Sequence, residues 1–421
     1  MSPPGIDLTA HIEPGDTVLI AQGTAEPRSL VQALVEQAEG LQGVRLFIGA
    51  SFTGLLRPEH ARNFRLCSFG GIARTSALTR EGVVDVLPIH LGTLPHLITS
   101  GRLPVDVVLA QVSEPDERGG CSLGLVADYL PAAISVARTV IVEVNPNVPF
   151  THGDTTVSVD RFAATVRDDR PLIEVAPRVP SAEEDMIGRL VAEQIPDGAT
   201  LQLGVGGAPD VALRHLSGRR DLGIHSGLIG DAVMALIEDG TVTNARKPID
   251  RGLTVTGALF GTGALYRWAD HNRRLRVRSL AHTHDPAVLA EFHDLHAVNS
   301  ALEVDLTGQI NAEVAGGRYV GAIGGQGAFA RAAAISPGGR SIIALPSTAR
   351  GGATSRIVAR LPDSVVTTPR SDADLIVTEH GVADLRGLGF ADRAARLIAI
   401  AHPDHRAELD ERWHRRAALE A

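Results

Sequence analysis

The sequence predicts an α/β fold made of two similar halves, each built on a mostly parallel sheet. Short runs rich in Val, Ile and Leu at 44–49, 83–87, 105–112 and 138–144 alternate with Gly/Pro turns or helix-like stretches such as 124–137. That is the pattern of strands buried on both faces. The alternation returns at 253–259, 295–299 and 341–345. Sliding 15–25 onto 198–208 then matches Gly15 with Gly198, Thr17 with Thr200, Gly23 with Gly206 and Ala25 with Ala208, which points to an internal duplication.

The elements follow in order. Val18 to Ala21 read as a strand, Gly23 as a turn, and the next stretch as a helix with Leu30, Ala33, Leu34 and Gln37 at helical spacing. Pro171, Pro177 and Pro180 punctuate the junction of the halves, and Ser181 to Glu184 form a capping box that opens a helix with Ile187, Leu190, Val191 and Ile195 on one face. The expected domains are therefore 1–178 and 179–421. In the second, Leu201 to Leu203 read as a strand, Gly204, Gly206 and Gly207 as a turn, and Pro209 to Leu216 as a helix. A further strand, Leu222 to Ile224, ends at His225, Ser226 and Gly227. A hairpin is expected over 303–311, a second glycine turn at Gly321 to Gln326, and a helical tail from Phe390 to Ala417 broken at Pro403.

Composition narrows the function. With 421 residues, 44% apolar and 21% charged, the chain has ample material for a buried core. A net charge of −9 without a strong basic run argues against nucleic acid or an anionic membrane as main partner. Cys67 and Cys121 are too few for a disulfide framework. The amino terminus lacks a basic flank and an apolar core, and no stretch reaches the ~18 apolar residues of a membrane helix. The expectation is a soluble, cytoplasmic protein.

A strand, glycine turn and helix in succession bring bare backbone N–H groups against a ligand. Gly204, Val205, Gly206, Gly207 and Ala208 are the first candidate binding turn, and Gly321, Gly324, Gly325 and Gln326 the second. His225 beside Ser226 suggests a base and a nucleophile, but neighbours on a strand point to opposite faces, so at least one has a structural role. Asp231 is placed to hold a backbone amide or to orient His225, with a helix cap as the plainer role. His282 and His284, spaced i, i+2, would share a strand face; a metal site there lacks a third ligand, and none is expected. Glu313 and Glu303 are candidate acid/base groups beside the second turn, where hairpin hydrogen bonding competes. Lys247 and Arg356 are candidates for phosphate or carboxylate contacts, against surface ion pairing.

Taken together, these strings resemble the acetyl-CoA hydrolase and 4-hydroxybutyrate CoA-transferase family of class I CoA-transferases, over nearly the whole chain. The likeness is carried by GTAEP at 23–27, QVSEPDERGGCSLG at 111–124, THGDT at 151–155, LGVGG at 203–207, VTNARK at 242–247, NSALEVDLTGQINAE at 299–313, GGRSIIALPSTA at 338–349 and VTEHGVADLRG at 377–387. The resemblance implies two α/β domains with the active site in the cleft between them, a homodimer or larger homo-oligomer, and a coenzyme A thioester as substrate with no permanently bound cofactor. It makes Gly204 to Ala208 and Gly321 to Gln326 the turns whose N–H groups hold coenzyme A and the thioester oxyanion.

One position departs from the family pattern. After a short strand the family reads His-Ser/Thr-Glu, and the glutamate attacks the thioester; here the string is His225-Ser226-Gly227. A glycine cannot form a covalent intermediate. A second departure is Gly324-Gly325-Gln326-Gly327-Ala328-Phe329, where the family commonly has an acidic residue before the Phe. Three readings follow: transfer or hydrolysis with a replacement carboxylate (Glu313, Asp231) or with water activated by His225; direct passage of the acyl group to an amine, alcohol or carbon nucleophile; or coenzyme A binding without turnover.

Overall fold

A computed structural model describes residues 5–204, 206–361 and 365–420, with no side-chain description for 416–420. The first half forms a seven-stranded, fully parallel sheet of β1 (Thr17–Ile20), β2 (Arg45–Phe47), β3 (Arg65–Ser68), β4 (Val84–Val86), β5 (Val107–Val112), β6 (Thr139–Val144) and β7 (Ala164–Arg167), in the order β4-β3-β2-β1-β5-β6-β7. Strands β1 and β5 are buried at every position, as continuous apolar runs require when both faces are covered.

The second half repeats the plan with β8 (Thr200–Leu203), β9 (Gly223–Ile229), β10 (Thr254–Leu259), β11 (Leu275–Val277), β12 (Leu295–Ser300), β13 (Arg340–Ala344), β14 (Leu375–Thr378) and β15 (Gly381–Asp384). Their order is β11-β10-β9-β8-β12-β13-β14-β15, parallel except for the last pair. In both halves the first strand lies inside the sheet, the next three step outward to one side and the later ones to the other. The residues matched in the sequence, Thr17 and Thr200, open β1 and β8, and the matched Gly23 and Gly206 both take positive φ, 65° and 141°. The duplication is thus structural.

The capping box at Ser181 and Glu184 forms, opening the helix Ala182–Glu193. The hairpin pairs Glu303 with Asn311 and Val304 with Ile310. The tail is two helices, Phe390–Ile400 and Pro403–Glu420. One sequence expectation fails: His282 and His284 are not on a strand. The turn Leu280–Thr283 is helical, and His284 follows it directly, so the two imidazoles leave in different directions.

The halves interlock. Ala127 N donates to Gly257 O (3.0 Å) and Leu259 N to Leu125 O (2.8 Å), so residues 125–127 of the first half run against β10, and their side chains join the core of the second half. Conversely, Gly71 N donates to Gly321 O (2.7 Å) and Leu91 N to Gly324 O (2.8 Å). The second glycine turn is therefore held from the first half. The cleft between these contacts lies at the carboxyl ends of the strands, where open α/β sheets bind ligands.

Candidate active site

A cavity of about 430 Å³ opens between the halves. The first half contributes Gln22, Phe69, Ile72, Leu91 and Asp128 among others; the second contributes Gly204, Gly227, His284 and the turn Gly321 to Gln326. Its floor carries a paired amide: Asn299 Nδ2 donates to Gln202 Oε1 (3.0 Å), and Gln202 Nε2 donates to Asn299 Oδ1 (3.3 Å). Both glycine turns and Gly227 therefore meet in one place.

The first turn faces the cleft only in part. Gly204 lines it, but its N–H is committed to Val298 O (2.8 Å). Gly206, Gly207 and Ala208 begin the helix Gly207–Arg214 outside the lining. A Cβ at Gly207 would strike the Arg178 guanidinium, which is paired with Glu184. Val205 lies outside the described residues. Gly321, Gly324, Gly325 and Gln326 all line the cavity, with Gln326 Nε2 donating to Thr368 Oγ1 (3.1 Å).

Strand β9 sorts the residues around Gly227 by face. Ser226 points to one side, where its hydroxyl donates to Leu203 O (3.2 Å) and accepts from Leu203 N (3.1 Å). His225 and Gly227 share the other. His225 is fully buried one layer below the cleft, against Phe292 at 4.8 Å between ring centroids, with Nε2 3.1 Å from Thr283 O. Burial and the neighbouring Lys247 push its pKa down to about 3. His225 is not part of the cavity lining, and the ring is held within the second half.

Three more candidates lie outside the cavity lining, and Asp231 takes the backbone-amide role that was one of its two expected ones. Asp231 accepts from Thr262 N (3.0 Å) and Thr262 Oγ1 (2.6 Å), fixing the turn before the helix Gly263–Ala269, away from the lining. Both oxygens of Glu313 are occupied, by Thr367 Oγ1 and Tyr319 OH at 2.7 Å each; its neighbour Ala312 lines the cleft instead. Lys247 is 2% exposed, with Nζ donating to Ile224 O (2.9 Å) and Leu253 O (2.8 Å), so it ties the base of β9 and does not meet a phosphate in the cleft. Arg356 is half-buried, with its Nη1 3.5 Å from Ala301 O.

Burial lowers the Lys247 pKa to about 7. Between that value and the ~10.5 of a free lysine the unfolded chain binds the extra proton, so stability rises with pH across this window. Wild-type protein should therefore gain thermal stability relative to Lys247→Met as pH rises from 7 to 10. Thermal melts of the two proteins across that range check it, and a constant difference rejects it.

Two cleft residues were not singled out for this chemistry by the sequence. Asp128 is 4% exposed and sits at φ 39°, a left-handed conformation rare outside glycine. Its Oδ2 accepts from Gln22 Nε2 (2.6 Å), and burial raises its pKa to about 7. The other is His284, 3% exposed, with its ring edge-on to Phe329 at 4.8 Å. It packs close beside Gly227: a Cβ there would lie 3.0 Å from His284 Cε1 and 3.3 Å from Nε2. A Cβ on Gly325 would lie 2.3 Å from Nε2. The imidazole is thus wedged between the two glycines. No local signal in the sequence announces this, because the three residues meet only through the fold.

His225, Asp250 and His282 are the one group of three among the described residues whose ligand atoms, within 4.8 Å of one another, could hold a metal ion. His282 Nε2 is already 2.7 Å from Asp250 Oδ2, and the group lies beneath the cleft, outside its lining.

Two interlocked parallel-sheet halves with glycine turns facing a shared cleft define a protein of the CoA-transferase type. Comparison with known proteins gives the particular family. The chain matches the acetyl-CoA hydrolase/transferase N-terminal domain over residues 6–177 and the C-terminal domain over 261–413, and it belongs to that family. Gly204 to Gly227 lie between the two matched ranges. The 4-hydroxybutyrate coenzyme A transferase of Clostridium kluyveri is 38% identical over 97% of this chain and 96% of its own. A succinyl-CoA:acetate/propanoyl-CoA:succinate CoA transferase of Fasciola hepatica is 34% identical over 97% and 86%. Among solved structures, RipA from Yersinia pestis superposes with a TM-score of 0.93 at 34% identity, over 97% of this chain and 96% of RipA. No described helix is long and apolar enough to cross a membrane.

Proposed function

We propose that this chain is an acyl-CoA-dependent enzyme in which an external nucleophile attacks the thioester carbonyl directly, with no acyl group or coenzyme A passing through a glutamyl intermediate. The observation that carries this reading is at Gly227: the position has no side chain, and a Cβ there would meet the His284 ring at 3.0 Å, a tight contact. Water as the nucleophile makes the reaction hydrolysis; an amine, alcohol or carbon acid makes it acyl transfer. The donors for the developing oxyanion come from the backbone at the second glycine turn, a contribution whose loss typically costs about 10²–10³ in rate. Orientation in the cleft can be worth a further ~7–11 kcal/mol.

Asp128 favours a second reading, coenzyme A transfer through a replacement carboxylate. It is a carboxyl in the cleft with a left-handed backbone, and no described group bonds to its Oδ1; such features cluster at functional sites. The experiment incubates purified protein with acetyl-, butyryl- and benzoyl-CoA, with and without acetate, following free thiol and exchange of coenzyme A into acetate separately. Thiol release without exchange, retained in Asp128→Asn, is the expected result. Exchange by the wild type that falls about 100-fold or more in Asp128→Asn would replace the first reading with the second.

A further inference from the structure

We infer that His284 is a catalytic residue: its Nε2 takes the proton of the attacking nucleophile at the thioester carbonyl. The inference rests on the proposed direct attack and names the group that would perform it.

Hydrogen bonding sets the tautomer. Thr283 Oγ1 donates to Ser279 O (3.2 Å), which spends the only hydrogen of that hydroxyl. Its lone pair therefore receives the hydrogen on His284 Nδ1, 2.9 Å away. A neutral imidazole with hydrogen on Nδ1 carries a bare lone pair on Nε2. No described group bonds to that nitrogen; a Cβ on Gly325 would lie 2.3 Å from it and one on Gly227 3.3 Å. The base of the side chain is also held, since a Cβ on Gly92 would lie 2.8 Å from His284 Cβ, and Phe329 packs against the ring at 4.8 Å. It is a preorganised base in the position from which the family's side chain is missing. Burial lowers its pKa to about 4, so it is unprotonated at neutral pH.

The step balances. As the nucleophile X–H bonds to the carbonyl carbon, its proton moves to Nε2 and the carbonyl oxygen becomes an oxyanion. Collapse of the tetrahedral species breaks the C–S bond, and the thiolate takes the proton back from the imidazolium. The products are acyl-X and free coenzyme A, with the enzyme restored.

The test uses the same three acyl-CoAs, water or hydroxylamine as nucleophile, and the variants His284→Gln and His284→Ala. General-base removal costs about 10²–10⁴ in rate, so thiol release, corrected for the uncatalysed reaction, should fall at least about 100-fold in both. Acyl-CoA dissociation constants by calorimetry should stay within about threefold. Added imidazole should restore part of the rate to His284→Ala and none to His284→Gln, whose side chain keeps the space filled; a purely structural histidine would show no such rescue. The Gln variant keeps the test valid if the Ala variant does not fold. Wild-type protein that binds no acyl-CoA overturns the proposed function together with this inference. Binding without thiol release by the wild type likewise overturns both, whereas binding and turnover that survive both substitutions overturn the inference about His284 alone.

Discussion

Gly325→Ala should lower thiol release from acyl-CoA by about 100-fold or more while leaving the protein folded. Gly325 sits at φ −91° and ψ −8°, a conformation alanine accepts, so the backbone has no objection. The methyl group does the damage. It would lie 2.3 Å from His284 Nε2, well inside van der Waals contact, and the imidazole has little room to retreat because Phe329 and Gly227 flank it. Overpacking of this kind costs ~1–3 kcal/mol, and a displacement near 1 Å at the reacting centre can cost about 10² in rate. Gly324→Ala is the control. There φ is +57° and nothing lies within 4 Å of the added Cβ, so it should cost roughly 1 kcal/mol of backbone strain and leave the imidazole in place. Steady-state rates and melting curves for the two variants check this; equal activity in both would remove the imidazole from the chemistry.

The largest stability loss is expected at Gly153→Ala, far from the reacting atoms. Gly153 has φ +129°, and its Cβ would lie 2.1 Å from Val277 O and 2.8 Å from Val277 C. These are backbone atoms of β11, the edge strand of the second sheet, bound to the same loop of the first half through Val277 N to His152 O (2.8 Å) and Asp154 N to Val277 O (2.9 Å). No rotamer change relieves a clash with backbone. The loop must leave the strand, so strain and lost hydrogen bonds add to about 3 kcal/mol or more. A fall of at least about 5 °C in the melting midpoint is the expected reading. Gly101→Ala, at φ +72° with no atom within 4 Å of the added Cβ, carries the conformational cost alone and should fall far less. Equal losses in the two variants would deny the contact its role.

These contrasts show where sequence reading stops. Gly324 and Gly325 are indistinguishable in a string, yet one needs its missing side chain for backbone conformation and the other for a neighbour's ring. Gly227 drew notice in the string through the family resemblance; that the His284 ring packs against it could not be read there. His225, Asp231, Glu313 and Lys247 sit at motif positions that suggest chemistry, but the fold commits each to backbone or side-chain partners that hold the strands and turns together.

By itself the sequence determined the alternation of buried strands with helices, the repeat of that plan in two halves, the capping box at Ser181 and the positions of the glycine turns. Each is a local matter, since apolar periodicity, caps and turns act over a few residues. Only the tertiary structure decided that residues 125–128 cross to the second sheet, that Asp128 enters the cleft, and that the His284 imidazole lies between Gly227 and Gly325. The physical reason is that a side chain's role follows from its burial and its neighbours, and the strand order of a parallel sheet makes neighbours of residues that are far apart along the chain.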